Sequence, residues 1–159
     1  MPFKQPRSIQ VVILADPDRE RRYLLLKRIE SYGGFWQSVT GSLEGDETHK
    51  QAAIREMREE TGISASDDDL IELGIVNTFE IAPQWRSRYE PGVTHNEEVC
   101  FALRINERDI RLDPIEHESW CWVSYEQAME MLFWESNKRA LTAANALAFD
   151  SHVREVRNK

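Results

Sequence analysis

The residues best placed to do chemistry are Glu56, Glu59 and Glu60, within the segment Gly41 to Ile63, GSLEGDETHKQAAIREMREETGI. On a helix turning about 100° per residue, spacings of three and four put all three carboxylates on one side, while Ala53, Ile54 and Met57 form an apolar stripe for the core. Like charges at this spacing cost an isolated helix a few tenths of a kcal/mol each, and no lysine is interspersed to relieve them. Oxygen-only ligands of this kind suit a hard cation, magnesium or manganese in its place. Magnesium keeps part of its water shell and shares the rest with substrate phosphates, which points to phosphoryl chemistry. Taken alone, the triad fits an acidic helix face turned to solvent equally well.

The elements that must position these groups follow from pattern. Ser8 to Ala15 is a short, apolar, β-branched strand, and Arg22 to Arg28 resumes as its hairpin partner after a turn at Asp16-Pro17-Asp18. A short strand is expected over Gln37 to Thr40 and a glycine-punctuated loop over Gly41 to Asp46. The acidic helix has Thr48 as cap, Gln51 as capping-box partner and Gly62 as its stop. Further strands are read at Leu70 to Ala82, Glu97 to Ile105 and Glu118 to Val123, with a loop over Pro83 to Thr94. Tyr125 to Trp134 and Asn137 to Val153 read as helices. Strands mixed with three helices and no low-complexity linker give one α/β layered domain spanning residues 1–159.

Composition narrows the partners. The chain has 159 residues, 41% hydrophobic and 30% charged, which excludes a disordered acidic tail. The longest aliphatic run, Val11 to Ala15, is far short of the ~20 residues of a spanning helix, and no secretory signal pattern opens the chain. Twenty basic against 28 acidic residues leave a formal charge of −8. With no basic stripe interleaved with aromatics, a nucleic-acid polymer is not an expected partner. Two cysteines, Cys100 and Cys121, make no disulfide framework, so a reducing cytoplasm is the expected location. The spacings of His95, Cys100, His117 and Cys121 match no standard zinc pattern. Oligomeric state is not legible.

The full segment resembles the signature of the Nudix hydrolases: Gly41, Glu47, Arg55, Glu56, Met57, Glu59, Glu60, Gly62 and Ile63 occupy every specified position. A chance match of its seven fixed residues is on the order of 10⁻⁷ at ordinary residue usage, so the solvated-face reading loses its standing. The resemblance implies an α/β/α sandwich with a mixed central sheet and a divalent-metal-dependent hydrolase of diphosphate linkages. It assigns metal binding to Glu56, Glu59, Glu60 and the Gly41 carbonyl, and a structural ion pair to Glu47 and Arg55. The proton-accepting base differs within the family; Glu56 or Glu59 is favoured over Glu60.

Blocks outside the signature resemble the bacterial branch of that family acting on dihydroneopterin triphosphate in folate synthesis: Phe35 to Ser42, Arg88 to Thr94, Glu116-His117 and Trp122. This implies release of pyrophosphate from the pterin triphosphate, and that Glu116 completes the metal site. A small-molecule triphosphate needs cations, for which Lys4, Arg28, Arg86 and Arg88 are the candidates. Its ring needs a flat pocket, for which Phe35, Phe79 and Trp134 are available, with Trp85 beside them. Glu80 is placed to accept hydrogen bonds from the ring edge, and Thr40 borders the signature. Two other readings stay open: a pyrophosphohydrolase of nucleoside triphosphates such as dATP, and a nucleotide sensor without turnover. An intact signature speaks against the sensor.

Overall fold

A computed structural model describes residues 3–17 and 20–149. Seven strands, β1 (Arg7–Ala15), β2 (Arg22–Arg28), β3 (Trp36–Gln37), β4 (Val39–Ser42), β5 (Ile71–Glu80), β6 (His95–Arg104) and β7 (His117–Val123), form one mixed sheet. Among the described residues three α-helices accompany the sheet: α1 (His49–Thr61), α2 (Tyr125–Met131) and α3 (Glu135–Asn145). The central strand β1 runs parallel to β6 from Arg7↔Glu97 to Leu14↔Arg104. Its other edge is shared, antiparallel, by β4 near its start and β2 near its end. Strand β5 closes one side of the sheet against β6, and β7 closes the other against β2.

Two-residue alternation along these strands sorts the core into two layers. Ile9, Val11, Ile13, Leu24, Leu26, Phe101 and Leu103 face α1, where Ala53 and Met57 meet them. Val12, Leu14, Leu25 and Ala102 face the other way, onto Ala140 and Leu141 of α3. Each fully buried large side chain contributes roughly 1.5–3 kcal/mol, so helices on both faces are held by the same strands. The result is the expected α/β/α sandwich. Among the described residues no helix is long and apolar enough to cross a membrane.

Several boundaries depart from the sequence reading. The strand expected over Gln37 to Thr40 is two, broken at Ser38, and its second half continues through Gly41 and Ser42 because these pair with Ile9 and Ser8. Gly41 is therefore strand and not loop. The first C-terminal helix stops at Met131, leaving Trp134 as the extended residue that caps α3. Helix α3 ends at Asn145, where the reading continued it to Val153; residues 150–153 lie outside the described residues, as does Asp18 of the first turn. A 3-10 turn, Pro83–Arg88, interrupts the expected loop.

Candidate active site

Both ends of α1 are built as the capping residues dictate. Thr48 accepts from the Gln51 amide at 3.2 Å and the Gln51 side chain accepts from the Thr48 amide at 2.9 Å. Gly62 ends the helix at φ 78°, a left-handed conformation costly for any residue with a Cβ.

Arg55 ties this helix to the preceding loop. Its guanidinium donates to both oxygens of Glu47 at 2.7 and 2.9 Å, to the Ser42 carbonyl at 3.0 Å, to Glu56 at 2.8 Å and to Glu59 at 3.2 Å. The hydrogen bonds from Arg55 hold the Glu47 carboxyl below the usual carboxylate range. Four acidic neighbours, Glu44 included at 3.5 Å, thus share one cation. The crowding of like charges is only partly relieved, because none of these bonds reaches Glu60.

Glu60 lies on the buried side of α1, 1% exposed, and its Oε1 has no hydrogen-bond partner. Burial first, then the hydrogen bond to and charge of Glu56, hold its carboxyl well above the ordinary range; the Glu116 charge pushes the same way. Glu116, half-buried in the loop before β7, is raised by its own burial and by Glu56, against the opposing pull of Arg28. Glu59, at the mouth, is raised by desolvation and by Glu56. His117 Nε2 stands 3.8 Å from Glu60 Oε1, yet no ion pair forms. Burial, helped by Arg28, lowers the imidazole pKa to about 4, so it is neutral at pH 7.

This group fits a hard cation. An orphaned carboxylate oxygen is buried among two further carboxylates, where uncompensated negative charge is costly. Gly41 provides the room: a Cβ there would lie 2.2 Å from Glu56 Cδ and 2.3 Å from its Oε1. Among the described residues no three acidic, His or Cys side chains are already clustered as a closed metal site. An ion would be held by carboxylates from two elements, Glu56 and Glu60 of α1 and Glu116 of the loop, with backbone oxygen and water.

Gly41, Thr40, Glu56, Glu59 and Glu116 line a cleft of about 1100 Å³. Lys4, Arg28 and Arg88 converge on the same cleft. The Arg28 and Arg88 guanidiniums sit 5.1 and 5.5 Å from the Tyr32 ring centre, and buried Arg28 Nε has no partner. Although Lys4 is exposed as a residue, desolvation of its ammonium, then Arg88 and Arg28, lower its pKa. Across the cleft Phe35, Trp85, Phe133 and Trp134 form an aromatic wall, with Phe35 stacked on Phe133 at 5.7 Å and edge-on to Trp134 at 5.3 Å. Phe79 and Glu80 line it from β5. Arg86 does not: its guanidinium is taken up by the Glu80 carboxylate and, at 2.9 Å, by the Ile81 carbonyl, so it braces the loop behind Glu80. That corrects its expected place among the substrate cations. Cys100 and His117 lie apart, Cys100 in the α3-side core and His117 beside Glu60.

The sequence reading missed a buried polar set on the α3 side of the cleft: Gln10, Asn77, Asn96, Glu98 and Asn137. Its signal was present, since Gln10 interrupts the apolar run of β1 and Glu98 occupies an inward position of β6.

The NUDIX domain profile matches residues 4–144. The chain belongs to the Nudix family, hydrolases of phosphoric anhydrides. It is 37% identical over 145 residues to the dihydroneopterin triphosphate diphosphatase of Haemophilus influenzae, covering 89% of this chain and 88% of that one. To the Escherichia coli K12 protein of the same name it is 40% identical over 142 residues, covering 87% and 91%. The solved Escherichia coli dihydroneopterin triphosphate pyrophosphohydrolase superposes with a TM-score of 0.80 at 39% identity, over 92% of this chain and all of that one.

Proposed function

We propose that this chain hydrolyses dihydroneopterin triphosphate to dihydroneopterin monophosphate and pyrophosphate, with magnesium, or manganese in its place, as cofactor. The carrying observation is the joining in one cleft of an under-compensated carboxylate group, three converging cations and an aromatic wall. The naming of the bacterial relatives agrees with it.

Glu56, Glu59, Glu60, Glu116 and the Gly41 carbonyl would hold the divalent ion. When bound, the ion offsets charge on the phosphate oxygens and acidifies water. Lys4, Arg28 and Arg88 donate to the phosphate oxygens, and so fix the triphosphate against their own side of the cleft. Thr40 lies beside the chain of phosphates. Water attacks one phosphorus of the cleaved anhydride, the bridging P–O bond breaks, and the phosphate group on the other side of that bond leaves with the bonding pair. Glu56 or Glu59 accepts the water proton. Desolvation and the Glu56 charge raise the Glu59 carboxyl above its usual value, the direction that suits a proton acceptor. Phe35, Phe79 and Trp134 enclose the ring, stacking worth about 1–3 kcal/mol per ring.

The test is pyrophosphate release from dihydroneopterin triphosphate and dATP, with magnesium and with chelator. The expected result is a kcat/KM at least tenfold higher for the pterin and loss of turnover in chelator. A higher value for dATP transfers the site to nucleotide-pool cleavage; binding of both without release makes the protein a sensor.

A further inference from the structure

The sheet face under α3 is apolar along most of β1 and β6, with Val12, Leu14 and Ala102 in its core. It turns polar where it reaches the cleft. There Asn96, Glu98 and Asn137, 4%, 4% and 2% exposed, all line the cavity wall. Asn96 and Glu98 are two apart on β6 and so share a face. Neither has a place in the handling of phosphates described above.

The hydrogen bonds in this cluster have a fixed direction, set by the carboxylate. Glu98 Oε1 accepts from Gln10 Nε2 at 2.9 Å and from Asn77 Nδ2 at 3.0 Å. With the Gln10 nitrogen so committed, its Oε1 must accept, and it does so from Asn137 Nδ2 at 3.0 Å. The atom left over is Asn137 Oδ1, an acceptor, buried and without a partner. Asn96 ends the same way: its Nδ2 donates to Ser8 Oγ at 2.7 Å and its Oδ1 is buried without a partner. Asn77 Oδ1 is taken by Arg139 Nη1. Among the described residues no hydrogen bond reaches Glu98 Oε2.

The amide nitrogens of Gln10, Asn77, Asn96 and Asn137 are thus engaged inside the network, and Asn96 Oδ1, Asn137 Oδ1 and Glu98 Oε2 are left as acceptors in a wall that Arg139 also lines. Buried polar atoms without partners cost about 1–3 kcal/mol each, so the cluster is complete only with a ligand that donates. A cationic ligand is disfavoured because Arg139 already brings a charge to the cluster. A neutral edge with adjacent N–H donors fits. Phe79, whose register partner is Asn96, and Trp134, three residues before Asn137, put aromatic faces beside these acceptors.

We propose that Asn96, Glu98 and Asn137 form the ring-reading subsite, where Glu98 and the two amide oxygens accept from the paired ring N–H and exocyclic amino group of a 2-amino-4-oxo-pyrimidine edge, as in pterin or guanine. This deepens the proposed function by assigning ring choice to residues other than Glu80, whose carboxylate is held by Arg86. Glu98 Oε2 accepting from one of these N–H groups, with an amide oxygen accepting from the other, is a charge-assisted contact of the stronger kind. Adenine presents one amino donor beside a ring acceptor, and the acceptor would face acceptors.

The full chain with magnesium is assayed for pyrophosphate release from GTP, ITP and dATP, with Kd by calorimetry for any of them bound without release. ITP differs from GTP only by lacking the 2-amino group. The wild-type preference for GTP over ITP should be roughly 10- to 100-fold. E98Q, which keeps volume but offers a donor, and N137A should each bring that ratio to within about threefold of one. Near-UV circular dichroism reports folding of both, and if E98Q fails to fold, N137A decides. A wild-type ratio near one, or a ratio preserved in a folded variant, overturns the assignment. Failure here with the pterin triphosphate still cleaved leaves the proposed reaction standing. Collapse of the ratio in the variants with no pterin turnover leaves the subsite standing and removes the reaction.

Discussion

Gly41→Ala isolates the packing of Glu56, a carboxylate proposed to bind metal, from its charge. The backbone there lies in β4, paired with Ile9, and is not left-handed, so alanine meets no conformational strain. Its Cβ instead meets Glu56: 2.2 Å to Cδ, 2.3 Å to Oε1 and 2.4 Å to Cγ, against an ordinary contact of at least 3.4 Å. The difference, 3.4 − 2.2 = 1.2 Å, is the least displacement that the Glu56 carboxyl or β4 must absorb. Ligand distances to a metal tolerate about 0.2 Å, and a misplacement near 1 Å can cost about 100-fold in rate. Glu56 is also gripped by Arg55, so it cannot swing away freely. We expect kcat to fall at least 100-fold, with half-saturating magnesium raised and overpacking costing about 1–3 kcal/mol of stability. Steady-state pyrophosphate release across a magnesium series reads the first two, urea unfolding the third. A variant with kcat within threefold of wild type would show that Glu56 does not need its observed position.

Arg55→Ala leaves Glu47 and Glu56 without their cation and should cost about 3 kcal/mol in urea unfolding, with activity lost as the loop shifts. Glu47 has a lowered pKa, so its contribution is present above the ordinary glutamate value of 4.5 and disappears as pH falls through its folded value. Glu47→Gln should therefore flatten the acid limb of a stability–pH curve; an unchanged limb excludes the pair as its source. Glu60 has the opposite sign. In chelator its raised pKa favours folding below 4.5, and that contribution is lost as pH rises through the folded value. Thermal midpoints in chelator should fall with rising pH in wild type and much less in Glu60→Gln, and magnesium should restore wild type alone. At free magnesium of 100 times Kd the restoration is about 2.7 kcal/mol.

The fold was legible where one physical signal was strong. Thr48, Gln51 and Gly62 bound α1 because capping is local, and β1 and β2 were readable as apolar runs about a turn. Long-range pairing was not: β4 runs on through Gly41 and Ser42 because Ser8 and Ile9 lie opposite them, which local sequence does not reveal. The carboxylates of α1 were legible from spacing. Their inequality was not, since Glu60 is buried and Glu59 exposed according to which side of α1 meets the sheet. Arg86 was misplaced because a loop arginine reads the same whether it faces a ligand or a neighbouring carboxylate. The Gln10–Glu98–Asn137 relay brings together residues up to 127 positions apart. Only Gln10 within the apolar run of β1 and Glu98 at an inward position of β6 announced it.

The most direct test of the account is the anomalous difference density of crystals soaked in manganese. It predicts a peak within about 2.0–2.3 Å of carboxylate oxygens of Glu56 and Glu60 and of the Gly41 carbonyl, with Glu116 joining directly or through water. A peak elsewhere, or none at a concentration that supports turnover, contradicts it.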